Sequence, residues 1–136
     1  MTAIIQPLGR IMLALIFILA GVGKIMDPAG TIGYMQSAGL PAILLWPTIA
    51  LEVLGGLAVA VGYKTRYAAI ALAIFSIAAA VIFHTNFADQ MQMILFLKNI
   101  AMAGGLLLLA AGGRTAFSMD NRRTQTNFFG TRQEKR

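Results

Sequence analysis

Ala42-Ile43-Leu44-Leu45-Trp46-Pro47-Thr48-Ile49-Ala50-Leu51-Glu52-Val53-Leu54-Gly55-Gly56-Leu57-Ala58-Val59-Ala60-Val61-Gly62 is an apolar run with one carboxylate near its middle. The run is long enough to cross a bilayer, since a spanning helix needs roughly 20 mostly apolar residues. Glu52 then lies about 15 Å from either end at a rise of about 1.5 Å per residue. A carboxylate at that depth costs about 2.5–3.5 kcal/mol on insertion scales. It needs a basic partner, a proton or a water-filled cavity, and the rest of the chain is read by asking which of these it finds.

Three further apolar runs surround this one: Ile11 to Met26, Tyr67 to Phe87, and about Met91 to Gly112. They explain why only 12% of the 136 residues are charged, against about 25% in soluble domains. The fold class is therefore all-α, a polytopic membrane protein built as a four-transmembrane-helix bundle. Residues 1–113 form the transmembrane domain, and 114–136 form a basic, disordered cytoplasmic tail. The net charge of +6 flanks the spans instead of forming one soluble basic face, so nucleic acid is not the partner. Without cysteine, the chain has no disulfide, thiolate metal site or thiol chemistry, and no metal site is expected.

Asp27-Pro28 ends the first span, because Pro disfavours helix continuation and restricts the residue before it. The piece Thr31 to Gln36 reads as a short interfacial helix with Tyr34 as anchor, and Gly39-Leu40-Pro41 turns the chain into the second span. Four spans place both termini and the short Tyr63-Lys64-Thr65-Arg66 turn on one side. Of the eleven Lys and Arg residues, all but Lys24 and Lys98 fall there. The positive-inside rule puts that side, with both termini, in the cytoplasm of a bacterial inner membrane.

The polar residues within the spans are the candidate site. Arg10, Phe17, Gly21 and Lys24 share one side of the first helix, and Glu52, Gly56 and Val59 share one side of the second. Counting inward from the outer ends, Lys98 is roughly 10 Å down the fourth span and Glu52 roughly 15 Å down the second. A lysine stem covers that difference, so Glu52 and Lys98 are expected to pair, with Asn99 as an additional hydrogen-bonder. Lys24 and His84 are expected in a shallower layer above them. These five residues are the ligand-binding candidates. Arg10, Gly21, Gly55 and Gly56 are structural, and the three glycines are expected to leave room beside the carboxylate.

The order and spacing of these residues resemble the DoxX family of small four-helix bacterial membrane proteins. The resemblance rests on Arg10, Phe17-x-x-x-Gly21-x-x-Lys24, Gly39-Leu40-Pro41, Glu52 with Gly55-Gly56, Gly62-x-x-Thr65-Arg66, His84, Leu97-Lys98-Asn99 and Gly104-Gly105. It covers nearly the whole chain except the last twenty or so residues. It implies an inner-membrane protein loosely connected to quinone-linked oxidoreductases, because the family is named after a subunit of an archaeal quinol-oxidising and thiosulfate-oxidising complex. The absence of cysteine and of an evident redox-centre ligand set argues against catalysis by this chain alone. The leading expectation is an accessory subunit of a membrane redox or quinone-linked system, with oxidoreductase subunits as partners and quinone as the ligand. The rivals are a non-catalytic membrane scaffold or stress-related protein and a small-molecule transporter, which would need a homo-oligomer to form a path.

Overall fold

The computed structural model describes residues 1–113 and 115–121. Five α-helices of ten residues or more follow in order among the described residues: α1 (Thr2–Met26), α2 (Pro28–Ser37), α3 (Leu45–Val61, led in by a 3₁₀ turn at Ala42–Leu44), α4 (Thr65–Phe83) and α5 (Gln90–Ala111). Four of them are long and apolar enough to cross a membrane, and α2 is the short helix between the first two. The described residues contain no strand.

Local chemistry sets these boundaries. Asp27 accepts a hydrogen bond from the Gly30 amide at 3.0 Å and Pro28 opens α2, the usual cap-then-proline start. Asp89 caps α5 in the same way through the Met91 amide at 3.0 Å. Gly62 stops α3 in the left-handed conformation, φ 71°, and the Tyr63 amide bonds back to Ala58 O at 2.9 Å. That is the Schellman arrangement, which favours glycine at the left-handed position. His84 lies just past α4 as its C-cap, so that helix ends sooner than the run to Phe87 suggests.

The spanning helices ring the bundle as α1, α3, α4, α5, with α1 on α3 and α4 on α5 as the extensive pairings and the α5–α1 seam much looser. Ala14, Ala69, Ala73, Ala103 and Ala110 are buried among Phe17, Val59, Leu72 and Leu106. Large apolar residues such as Leu19, Leu54, Ile74 and Leu108 point outward. In lipid no hydrophobic force drives helices together, so small residues that permit close approach take the interior.

Glycines set the stagger of α1 on α3. A Cβ on Gly21 would fall 2.5 Å from Val53 Cγ2, and one on Gly56 would fall 2.8 Å from Ile18 Cγ1. The two helices run antiparallel, so this register brings Lys24 level with the first half of α3 and Arg10 level with the turn after it. Helix α1 also starts at Thr2, well before the Ile11 expected from the apolar run, and its first turns overhang the end where residues 115–121 lie.

That overhang is clasped. Arg10 is buried, donating from Nη1 to Thr115 Oγ1 at 2.7 Å and from Nη2 to Phe117 O at 2.9 Å. Gln6 Oε1 accepts from the Ala116 amide at 2.8 Å. Asp120 accepts from the Lys64 and Thr65 amides at 2.7 and 2.9 Å and from Thr65 Oγ1 at 2.7 Å. It therefore caps α4 at the positive end of its dipole. Residues 115–121 are thus docked, which corrects the expectation of a tail disordered from residue 114. Residues 122–136 of that tail lie outside the described residues.

Burial alone would raise the Asp120 pKa. The donors from Thr65 and Lys64 and the nearby Arg10 charge outweigh it and hold the carboxyl below its ordinary value. A depressed folded pKa means the cap contributes fully above the unfolded value of about 3.9 and is lost as pH falls through the folded one. Hydrogen exchange at the Lys64 and Thr65 amides should accelerate in strong acid beyond the loss of protection seen elsewhere, with no such change between pH 5 and 7. Asp120→Ala should remove about 1 kcal/mol of local stability at neutral pH. Unchanged exchange in Asp120→Ala would rule the cap out.

Candidate functional site

The half of the bundle remote from Met1 and residues 115–121 contains a cavity of about 520 Å³, within the usual range for small-molecule sites. Its walls are mostly apolar, with Phe17, Leu51, Phe75, Ile82 and Met102 among them. Helix α2 contributes Thr31, Tyr34 and Met35 at the remote end. The Tyr34 ring stacks on Phe83 with centroids 5.0 Å apart, which fixes α2 against the end of α4. All five ligand-binding candidates, Lys24, Glu52, His84, Lys98 and Asn99, lie on this cavity.

The pairing within it differs from the expectation. Glu52 meets Lys24, not Lys98: Lys24 Nζ donates to Glu52 Oε1 at 3.0 Å and lies 2.8 Å from Oε2. The stagger explains the difference. Lys24 is near the end of its own helix, but the Gly21 and Gly56 contacts slide α1 so that this end sits beside the interior of α3. Side chains on a helix lean toward its N-terminus, so in an antiparallel pair Lys24 and Glu52 lean toward each other. The expectation of two polar layers, with Lys24 in the shallower one, fails for the same reason.

Glu52 is 3% exposed, so one aligned hydrogen bond leaves its carboxylate under-satisfied. The Oε2 atom is in charge contact with Lys24 but accepts no hydrogen bond from any described residue. Lys98 is exposed and has no carboxylate within salt-bridge distance among the described residues. Asn99 turns its amide back on its own helix, donating from Nδ2 to Leu95 O at 3.0 Å. His84 Nδ1 lies 3.1 Å from Gln92 Oε1, a hydrogen bond in the tautomer that carries its hydrogen on Nδ1.

The glycines do not line the cavity, which corrects the expectation that they leave room beside the carboxylate. Gly21 and Gly56 are taken up by the α1–α3 contact, and Gly55 faces the Leu72 side chain, 3.2 Å from where its Cβ would be. Arg10 belongs to the clasp at the opposite end. Sequence reasoning missed Thr48 and the three residues of α2. Thr48 was accessible in principle, being one helical turn before Glu52 on the same face. The folding of α2 over the cavity had no local signal.

Residues 6–85 match the model of the DoxX family. The chain is 44% identical over 111 residues to the Escherichia coli inner membrane protein YqjF, covering 82% of this chain and 85% of that one. It is 38% identical over 122 residues to the Escherichia coli inner membrane protein YphA, covering 85% and 87%. It is 32% identical over 72 residues to the putative oxidoreductase CatD of Bacillus subtilis, covering 53% and 54%. No solved structure matches. With four spans and a family match over more than half its length, the chain belongs to the DoxX family of inner-membrane proteins.

Proposed function

We propose that this protein is an accessory subunit of a membrane redox system, and that its cavity holds the head of a quinone-type amphipath. The observation that carries the reading is Glu52, a buried carboxylate on a largely apolar cavity wall whose Oε2 meets Lys24 Nζ at 2.8 Å without an aligned hydrogen bond. A buried carboxylate is stabilised by each further donor aimed at it. The ring hydroxyl of the quinol form would add an aligned donor to Oε2 while the apolar body of the molecule met Phe17, Leu51 and Phe75. The likeness to a protein named as a putative oxidoreductase supports the redox connection. Confinement of the cavity to the remote half favours a binding site over a path. Toward the terminal end, Val59, Ala69, Leu72 and Leu106 are fully buried and fill the interior.

Binding of a quinone analogue to the purified protein in nanodiscs tests this reading. Ala79 lines the cavity and is only half-buried. Ala79→Phe should fill the space without removing a charge, weakening the analogue roughly tenfold or more while the melting temperature holds. Undiminished affinity in Ala79→Phe would place the ligand elsewhere, and no binding to the native protein would end the proposal.

We also propose that both termini face the cytoplasm, on the strength of the basic asymmetry. The chain has no cysteine, so single-cysteine labelling has no background. In intact cells an impermeant maleimide should modify Asp89→Cys and spare Asn121→Cys. The reverse pattern inverts the topology.

A further inference from the structure

We infer that the amphipath the cavity takes carries an acidic oxygen head paired to Lys98. The inference rests on the cavity reading above and adds the charge of the ligand.

The place of Lys98 follows from packing. The seam between α5 and α1 is the loosest around the bundle. One close approach across it is at Gly105, where a Cβ would fall 3.3 Å from Leu13 Cδ2. Lys98 lies two helical turns from Gly105 on the same side of α5, so it stands over the same seam. It both lines the cavity and is exposed to the surroundings. Lys98 therefore stands at the edge of the cavity, as do the exposed lining residues Tyr34, Leu44, Pro47, Ala78 and Ile82.

The charge follows from elimination among the carboxylates at this end. Glu52 is committed to Lys24. Asp27 caps α2 and Asp89 caps α5. Lys24 and Glu52 together are neutral, so the wall of the cavity carries the uncompensated charge of Lys98. An ammonium at the edge of hydrocarbon gains most from an anionic oxygen, because the hydrogen bond is then also an ion pair and opposite charges attract more strongly away from bulk water. A carboxylate, a phosphate monoester and an ionised phenol share that chemistry.

The experiment uses the native protein in zwitterionic nanodiscs and two photolabels, a diazirine quinone analogue and a diazirine fatty acid. Oleate, oleyl phosphate and oleyl alcohol serve as competitors. Both labels should attach to cavity peptides of α1 and α5. Oleate or oleyl phosphate should displace them at concentrations roughly tenfold below the alcohol, as expected for one charge-assisted hydrogen bond. Their relative strength distinguishes a carboxylate head from a phosphate. Lys98→Met should abolish that preference and Lys98→Arg should keep it. Equal competition by acid and alcohol, with the quinone label still in the cavity, overturns this inference and leaves the cavity reading standing. Failure of both labels to reach the cavity overturns both. A charge preference that survives in Lys98→Met also overturns it.

Discussion

Lys24→Met is expected to destabilise the folded protein by about 3–5 kcal/mol, the cost of leaving one member of a buried ion pair without the other. Glu52 is almost completely enclosed and its hydrogen bond among the described residues comes from Lys24. Glu52→Gln should lose less, since the amide can still accept a hydrogen bond and Lys24, which is 24% exposed at its side chain, retains access to water or headgroups. The double variant Lys24→Met/Glu52→Gln should recover much of the loss, because no buried charge is then left alone. Lys98→Met should leave the melting temperature close to native, for Lys98 is exposed and outside the pair. Thermal unfolding of all four variants in one detergent makes the comparison. Additive effects of Lys24→Met and Glu52→Gln would deny the contact. A drop in Lys98→Met as large as in Lys24→Met would return the pairing to the fourth span.

The contrast between the two lysines shows where sequence reading stops. The spans, the break at Asp27-Pro28 and the stop at Gly62 are legible because each has a local cause: apolar length, a missing amide donor, a left-handed cap. The importance of Glu52 is legible because a carboxylate in hydrocarbon demands an explanation. Its partner is not, because a sequence gives depth only along each helix from its own end. Depth in a bundle depends also on the stagger between helices, and that is fixed by which glycines meet which side chains. Gly21 against Val53 and Gly56 against Ile18 shift α1 by enough to exchange Lys98 for Lys24. The clasp is illegible for a related reason. Thr115, Ser118 and Asp120 look like ordinary polar tail residues. Only the overhang of α1 brings Gln6 and Arg10 to where that tail returns.

Gly56→Ala is the sharpest probe of that stagger. The added methyl would meet Ile18 Cγ1 at 2.8 Å and the backbone at Ala14 O and Ile18 N at 3.3 Å. The isoleucine tip can turn aside, but the backbone of α1 can yield only by moving the helix, so a loss of about 1–3 kcal/mol is expected, as for overpacked cores. Gly104→Ala is the matched control. No described atom outside its own helix backbone and chain neighbours lies within 4 Å of where its methyl would stand. Alanine in a helix interior is favoured over glycine by roughly 0.5–1 kcal/mol, so the control should hold or gain stability. Gly56 is outside the cavity, so ligand affinity should fall in Gly56→Ala only insofar as Lys24 and Glu52 are driven apart. Distance measurement between spin labels on α1 and α3 should register that separation in Gly56→Leu, where the bulk cannot be absorbed by one side chain. Native stability and spacing in both Gly56 variants would mean that the glycine contact does not set the register, and that the Lys24–Glu52 pair owes its place to something else.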